Sequence, residues 1–319
     1  MSRTLLTCIS LFISLTSACS SSAITQRNNL TGKLADSHEA QIDDKRNYEL
    51  RNQIEGIACA AKGRVGVAAT VLETGESVSF NLHEHFPMQS VYKFPIGMTV
   101  LHQVDAGKIS LGQRVRVGKS DFVRAGQRSP LRDKNPNGTE LTVNELLRLM
   151  VSESDGTASD VLFKLVGGGE AVGKYLNELK VNEMVVANTE KEIGQDWETQ
   201  YRNWASPEGS IALLRALYER RGLSEQSQTL LLKLMTETPT GLRRLKGLLP
   251  AGTLVAHKTG TSGATGGVTA ATNDIGLVTL PNKRHLAIAV FVADSTADEA
   301  TREEVIAKVA KAVWDKWSN

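Results

Sequence analysis

A chain of 319 residues, 41% of them apolar, is long enough to bury a sizeable core in one large or two modest domains. Its 37 basic residues against 35 acidic ones leave a formal charge of +2, which gives no field for holding nucleic acid or an anionic membrane surface. The six histidines are scattered, with only His83 and His85 close together, so no metal set and no cofactor is expected.

Residues 1–23 form an object apart. Arg3 precedes an apolar stretch over 5–15 that is too short to cross a bilayer, and small residues follow at Thr16, Ser17 and Ala18, the pattern of an export signal peptide. Cys19, with serines behind it, resembles a bacterial lipoprotein cleavage site, although Thr16 stands where a leucine is usual; ordinary cleavage near Ala18 or Ala23 is the competing reading. Residues 24–46 are polar and aperiodic, as suits a flexible tether. The expectation is an exported, periplasmic protein, lipid-anchored if Cys19 is the acceptor. Cys8 and Cys19 belong to the leader, which leaves Cys59 alone in the body, without an intrachain partner and expected to be a buried small apolar residue.

The body opens on a helix over 48–61, with Leu50, Ile54, Ile57 and Ala61 on one face, followed by a hairpin over 65–72 and 77–82. Helical patterns then cover 91–106, 142–151, 157–166 (closed by three glycines), 207–221 and 225–236, with Thr142-Val143-Asn144-Glu145 a capping box and Ser206 a cap. Strands return over 253–258, 267–272 continuing into 275–280, and 285–292. The last helix repeats Val305, Val309, Val313 and Trp317. Strands at both ends around a helical middle predict an α+β two-lobe sandwich: an antiparallel sheet flanked by terminal helices, and an all-helical lobe. The lobes are drawn at 47–86 with 240–319, and at 87–239.

Four motifs carry the chemistry. Ser90-Val91-Tyr92-Lys93 puts a hydroxyl and an amine on one helix face, and a serine needs such a neighbour to become a nucleophile. Alone, a solvated lysine at a helix start explains the tetrad equally well. Ser154-Asp155-Gly156 sits at a helix-to-loop corner, Glu190 lies in a polar loop over 188–194, and Lys258-Thr259-Gly260-Thr261-Ser262 ends a strand. Each is commonplace by itself as a cap, a surface acid or a strand end. Their order and spacing are not.

In that order they resemble the Ser-x-x-Lys, Ser-Asp-Asn and Lys-Thr-Gly signature of class A β-lactamases and penicillin-binding proteins. The resemblance spans about residues 47–317, with the Glu190 segment similar to the class A Ω loop at about 185–204. Within class A, Pro87-Met88-Gln89-Ser90, residues 200–204 and residues 241–263 look most like the extended-spectrum branch that includes the PER and VEB enzymes. The resemblance implies a small-molecule β-lactam substrate, a monomer, Ser90 as the acylated nucleophile and Lys93 as the group that holds or takes its proton. It further implies Ser154 as proton relay to the leaving nitrogen, Glu190 as activator of the deacylating water, and Lys258 with Thr259, Gly260, Thr261 and Ser262 as the substrate-binding edge. The backbone N–H groups of Ser90 and Thr261 would form the oxyanion hole. Asp155 would be structural, Arg244 would supply a carboxylate-binding guanidinium, and Arg128 would stand at the mouth; a solvated arginine is the alternative at Arg244.

Several positions depart from the class A pattern. Gly156 replaces an asparagine that bonds the substrate's side-chain amide, and Gly194 stands where an asparagine commonly helps hold the hydrolytic water. Asn188 and Asn203 occupy the places of the ion pair that ties the Ω loop, so a charge-assisted clamp is absent and a wider site for bulky oxyimino-cephalosporins is expected. A penicillin-binding D-alanyl-D-alanine peptidase shares two motifs without the glutamate, and a non-hydrolytic acyl trap or sensor would fit the loss at Gly194.

Overall fold

The computed structural model describes residues 47–318; the expected leader, Cys19 and the tether lie outside the described residues. Helix α1 (47–58) buries Leu50, Ile54 and Ala58, and the turn Cys59–Ala61 ends it with Ala61 buried as well. Cys59 is exposed, contrary to expectation. It follows buried Ala58 by one residue, about 100° round the helix axis, and so leaves the apolar face; its Sγ donates to the Glu55 carbonyl at 3.4 Å.

The hairpin forms from β1 (Arg64–Val71) and β2 (Ser77–Phe80), and β3 (Phe86–Pro87) leads into the turn Gln89–Tyr92 and α2 (Lys93–Asp105). A small sheet, β4 (Arg114–Val117) with β5 (Thr139–Thr142), brackets α3 (Pro130–Lys134). Then come α4 (Val143–Val151), α5 (Gly156–Val166), α6 (Gly168–Glu178), β6 (Met184–Val185), α7 (Glu190–Ile193), β7 (Trp204–Ala205), α8 (Pro207–Tyr218) and α9 (Glu225–Thr236). The chain finishes through β8 (Val255–Thr261), β9 (Ala264–Thr265), β10 (Val268–Thr279), β11 (His285–Ser295) and α10 (Glu299–Trp317).

Helix α6 is an addition to the sequence expectation. Gly167 does stop α5, at φ 103°, but the chain restarts a helix at once and buries Val172, Tyr175, Leu176 and Leu179, spaced as one helix face. Helix α8 ends at Tyr218, ahead of the Gly222 stop, because Arg220 already turns the chain at φ 57°.

Among the described residues, six strands form one antiparallel sheet in the order β2-β1-β11-β10-β8, with β9 paired to β10. Its two faces follow the period of two along each strand. In β11, Leu286, Ile288, Val290 and Val292 join Val65, Val67 and Val71 of β1 against α1 and α10. The alternate residues Ala287, Ala289, Phe291 and Ala293 face a larger core that takes in α2, α4, α5, α8 and α9. A sheet covered on both sides reads as a nearly continuous apolar run, which is why its strands were legible. The small residues on the helical side let α8 and Phe86 approach closely. Asn273 of β10 then ties the sheet to the turn ahead of α2, donating from Nδ2 to the Pro87 carbonyl at 2.8 Å and the Met88 carbonyl at 3.2 Å. This places Ser90 beside the edge strand β8.

Gly66 lies on that crowded face. A Cβ there would stand 2.3 Å from Phe86 Cε2 and 2.9 Å from Pro207 Cγ, and Phe86, fully buried and stacked on Phe291, has nowhere to go. Gly66→Ala is expected to destabilise by about 1–3 kcal/mol. Gly56→Ala, on the open side of α1 with nothing within 4 Å, is expected to stabilise by about 0.5–1 kcal/mol. Urea unfolding of both variants checks the contrast; equal effects of the two would refute it.

Candidate active site

Lys93 is the first residue of α2 and is 1% exposed. Its Nζ donates to Ser90 Oγ at 2.8 Å and to the Ser154 carbonyl at 3.1 Å, and it pairs with Glu190 Oε2 at 2.8 Å. An ammonium has three donors, and here it has three acceptors. The contact with Ser90 is local, the turn of helix foreseen from the tetrad. The other two come from distant parts of the chain.

Ser154 reaches the amine because it adopts the left-handed conformation, φ 58°, in the turn between α4 and α5. Asp155 follows as the buried cap of α5, accepting from the Ala158 and Leu131 amides at 2.8 and 2.7 Å and from Ser129 Oγ at 3.1 Å. It therefore fixes both the Ser154 turn and the segment carrying Arg128. Lys258, fully buried in β8, donates to Ser154 Oγ at 3.0 Å. Burial, with the Lys93 charge adding to it, pushes the Lys258 amine well below the ordinary lysine range. With Lys258 donating, Ser154 Oγ accepts, and its own hydrogen is free for another partner.

Glu190 opens α7, a helix of one turn capped by Thr189 and Glu192 in a reciprocal box. Tyr92 Oη donates to Glu190 Oε2 at 2.7 Å. Burial works to raise the Glu190 carboxyl, but the Lys93 charge and the hydrogen bonds from Lys93 and Tyr92 outweigh it and hold the group below its ordinary value of 4.5. Glu190 is thus an ionised carboxylate at neutral pH. Four residues further on, Gly194 caps the C-terminal end of α7.

At the base of the Ω loop Asn188 and Asn203 stand in place of an ion pair, yet the loop is tied firmly there. Buried Asn203 accepts the Ala187 and Asn188 amides at Oδ1, both at 2.8 Å, and donates to the Asn188 carbonyl at 2.8 Å. Asp160 of α5 takes the Glu190 amide at 2.6 Å and the Lys191 amide at 3.0 Å. Burial raises Asp160 to about 7 against these two hydrogen bonds.

Ser90, Lys93, Ser154, Glu190, Arg244 and Thr261 line one cleft of about 640 Å³, joined by Arg128, Gly194, Thr259 and Ser262. Asp155, Gly156, Lys258 and Gly260 stand behind its wall rather than on it. Arg244 is no solvated side chain: it is 3% exposed, bonded through Nε to Glu303 Oε1 at 3.1 Å, and its Nη2 donates to Thr261 Oγ1 at 2.7 Å. Arg128 is held by a bond from Nε to the Glu153 carbonyl at 2.8 Å. Gly156 has a steric reason to lack a side chain, since a Cβ there would stand 2.8 Å from Glu190 Cγ and 3.1 Å from the Arg128 carbonyl.

A serine, a buried amine, a carboxylate and a second buried amine, in this order along the chain, are thus brought together by the fold. The family model described as the beta-lactamase enzyme family matches residues 49–317. This chain belongs to that family. Among curated relatives it is 44% identical to the extended-spectrum beta-lactamase PER-1 of Pseudomonas aeruginosa, over 83% of this chain and 86% of that protein. It is 41% identical to beta-lactamase VEB-1 of the same organism, over 85% and 91%. Among solved structures, a beta-lactamase from Chitinophaga pinensis superposes with a TM-score of 0.82 at 46% identity, covering 84% of this chain and 98% of that one. The TLA-1 extended-spectrum beta-lactamase gives 0.83 at 42%, covering 86% and 99%. The chain is a class A serine β-lactamase by family and two-lobe fold.

Sequence reasoning missed three residues of this β-lactamase site. Tyr92 lies inside the Ser90–Lys93 tetrad and was passed over. Asp160 is four residues after Gly156, hence on the same face of α5, and that spacing was an available signal. Gln127 carried none. The histidines give one group of three possible ligands among the described residues: His83 Nδ1 lies 2.9 Å from Glu208 and 3.3 Å from Glu183, a surface triad outside the cleft.

Asp160→Asn would turn an amide NH₂ toward one of the two backbone donors it now satisfies. An unsatisfied donor and a lost charged acceptor cost about 1–3 kcal/mol, and the loss falls on α7. Hydrogen exchange of the Glu190 and Lys191 amides is expected to quicken about 10-fold or more, while exchange in β11 stays unchanged. Unaltered exchange at 190 and 191 would remove Asp160 as the anchor.

Proposed function

We propose that this β-lactamase hydrolyses the β-lactam amide of penicillins and cephalosporins through an acyl-enzyme on Ser90, extended-spectrum cephalosporins included. The observation that carries the reading is Lys93 Nζ standing 2.8 Å from both Ser90 Oγ and Glu190 Oε2. A proton leaving Ser90 can pass to Lys93 as Lys93 passes one to Glu190, so Ser90 Oγ adds to the lactam carbonyl carbon with no charge left unpaired. The oxyanion that forms is held by the Ser90 and Thr261 backbone N–H groups. As the C–N bond breaks, Ser154 gives its free hydrogen to the nitrogen, assisted by the Lys258 charge. The proton held by Glu190 returns by way of Lys93 to the Ser154 oxygen, so that Glu190 is again a carboxylate and takes a proton from water. The hydroxide adds to the acyl carbon, the ester C–O bond breaks, and the proton on Glu190 passes back through Lys93 to Ser90.

Recognition follows the cleft wall. Thr259 would hold the substrate carboxylate from the wall, with Lys258 acting electrostatically from behind it and Arg244 acting through Thr261. Gly156 offers no side-chain amide, so the substrate amide would pair with the backbone of Gly260 to Ser262. Arg128 would form a cationic rim at the mouth. The extended-spectrum assignment is supported by the named relatives, by the neutral Asn203 tie in place of an ion pair, and by the open cleft beside Ser262. An ionised Glu190 that shares Lys93 with Ser90 favours turnover over the peptidase and acyl-trap readings.

Glu190→Gln keeps the shape of the side chain and removes its basicity. Deacylation is expected to fall by about 10²–10⁴-fold, leaving a penicillin adduct on Ser90 that mass spectrometry detects, while Ser90→Ala yields no adduct. Undiminished turnover by Glu190→Gln, or turnover by Ser90→Ala, would overturn the assignment.

A further inference from the structure

Glu190 sits on a helix too short to hold itself, so its position depends on what grips the backbone of α7 from outside. Asp160 grips the N–H side. The carbonyl side has its own partner: Gln127 Nε2 donates to the Glu190 carbonyl oxygen. The Gln127 carboxamide is fixed at its other end too, because Oε1 accepts the Arg124 amide at 3.0 Å. The Gln127 amide closes the same turn onto the Arg124 carbonyl at 3.1 Å, and Gly126 allows that turn at φ 90°.

Gly194 completes the observation. A Cβ at 194 would lie 2.7 Å from Gln127 Nε2, 2.8 Å from its Cδ and 3.0 Å from its Oε1. The carboxamide of residue 127 therefore fills the volume that a side chain at 194 would take, on the cleft wall shared with Ser90 and Glu190. The two positions are alternatives in space.

We propose that Gln127 is a positioning residue for deacylation: with Gly194 making room, it enters from the loop ahead of α3 and sets the place of Glu190 by holding its carbonyl. This rests on the proposed hydrolytic role of Glu190 and adds a second residue through which that role is tuned. The pair is coupled. A side chain restored at 194 evicts Gln127, and loss of Gln127 opens space for one.

The test is kinetic, in the full exported enzyme with a chromogenic cephalosporin. Removing a grip on Glu190 slows water attack and spares attack by Ser90, so Gln127→Ala is expected to lower kcat and KM together by about 10–100-fold, with kcat/KM nearly constant and the Ser90 adduct longer-lived by mass spectrometry. Gln127→Glu keeps the volume but presents an acceptor to the Glu190 carbonyl, and is expected to show the same split; a merely space-filling role predicts a wild-type kcat for it. Gly194→Asn alone is expected to be impaired, and Gln127→Ala combined with Gly194→Asn to recover at least part of the kcat lost in either. Wild-type kcat and adduct lifetime in Gln127→Ala, or additive losses in the double variant, would overturn the inference. If the unaltered enzyme turns over normally while these variants do as well, only the role of Gln127 fails. Turnover that persists in Ser90→Ala would fail the underlying reading instead.

Discussion

A buried amine and a buried carboxylate are each costly alone, and the site is organised around their pairing at Lys93 and Glu190. The amine is 1% exposed, and its counter-charge is delivered 2.8 Å away by Glu190 from a one-turn helix in a surface loop. Removing one partner of such a pair costs about 3–5 kcal/mol, because the other is left charged and unsolvated. The loop is accordingly held at many points. Thr189 and Glu192 cap its helix, Asp160 takes two amides, Asn203 ties its entry, and Tyr92 closes on the carboxylate itself. A carboxylate that burial would otherwise protonate is kept ionised against the lysine that also holds the nucleophile.

The departures from the class A pattern make sense as one steric arrangement. Gly156 gives way to the Glu190 side-chain stem, and Gly194 gives way to the Gln127 carboxamide. Side chains at 156 on α5 and at 194 at the end of α7 are thus absent, and the groups that hold the α7 backbone are Asp160 of α5 and Gln127 of the loop ahead of α3. The loss of the ion pair across the Ω loop fits the same scheme. Asn203 satisfies three backbone groups with one neutral side chain, which costs less desolvation than burying a charged pair.

Local pattern made much of this legible in the sequence. The continuous apolar run of β11, the caps at Thr142 and Ser206, the apolar residue at every fourth position of α10 and the Ser90–Lys93 spacing all depend on residues close in the chain. Chemistry fixed by distant partners was harder to read. Asp160 looks like any helix-surface acid until α7 is laid against it, and Gln127 has no sequence signature because its partners are at 190 and 194. Arg244 could be named from family resemblance, but its burial depends on Glu303 of α10 and on Thr261 of β8. Cys59 and α6 were errors of a different kind, in which the helical period was present and was followed one residue too far or not far enough.

The ionisation of Glu190 is the quantity on which the account turns, and it can be measured directly. In enzyme labelled with ¹³C at the glutamate carboxyl, with the Glu190 resonance assigned by its loss in Glu190→Gln, a pH titration by NMR reads that group alone. The Lys93 contact predicts a midpoint below 4.5, the ordinary glutamate value. A midpoint above it would mean that burial wins over Lys93, contradicting the account.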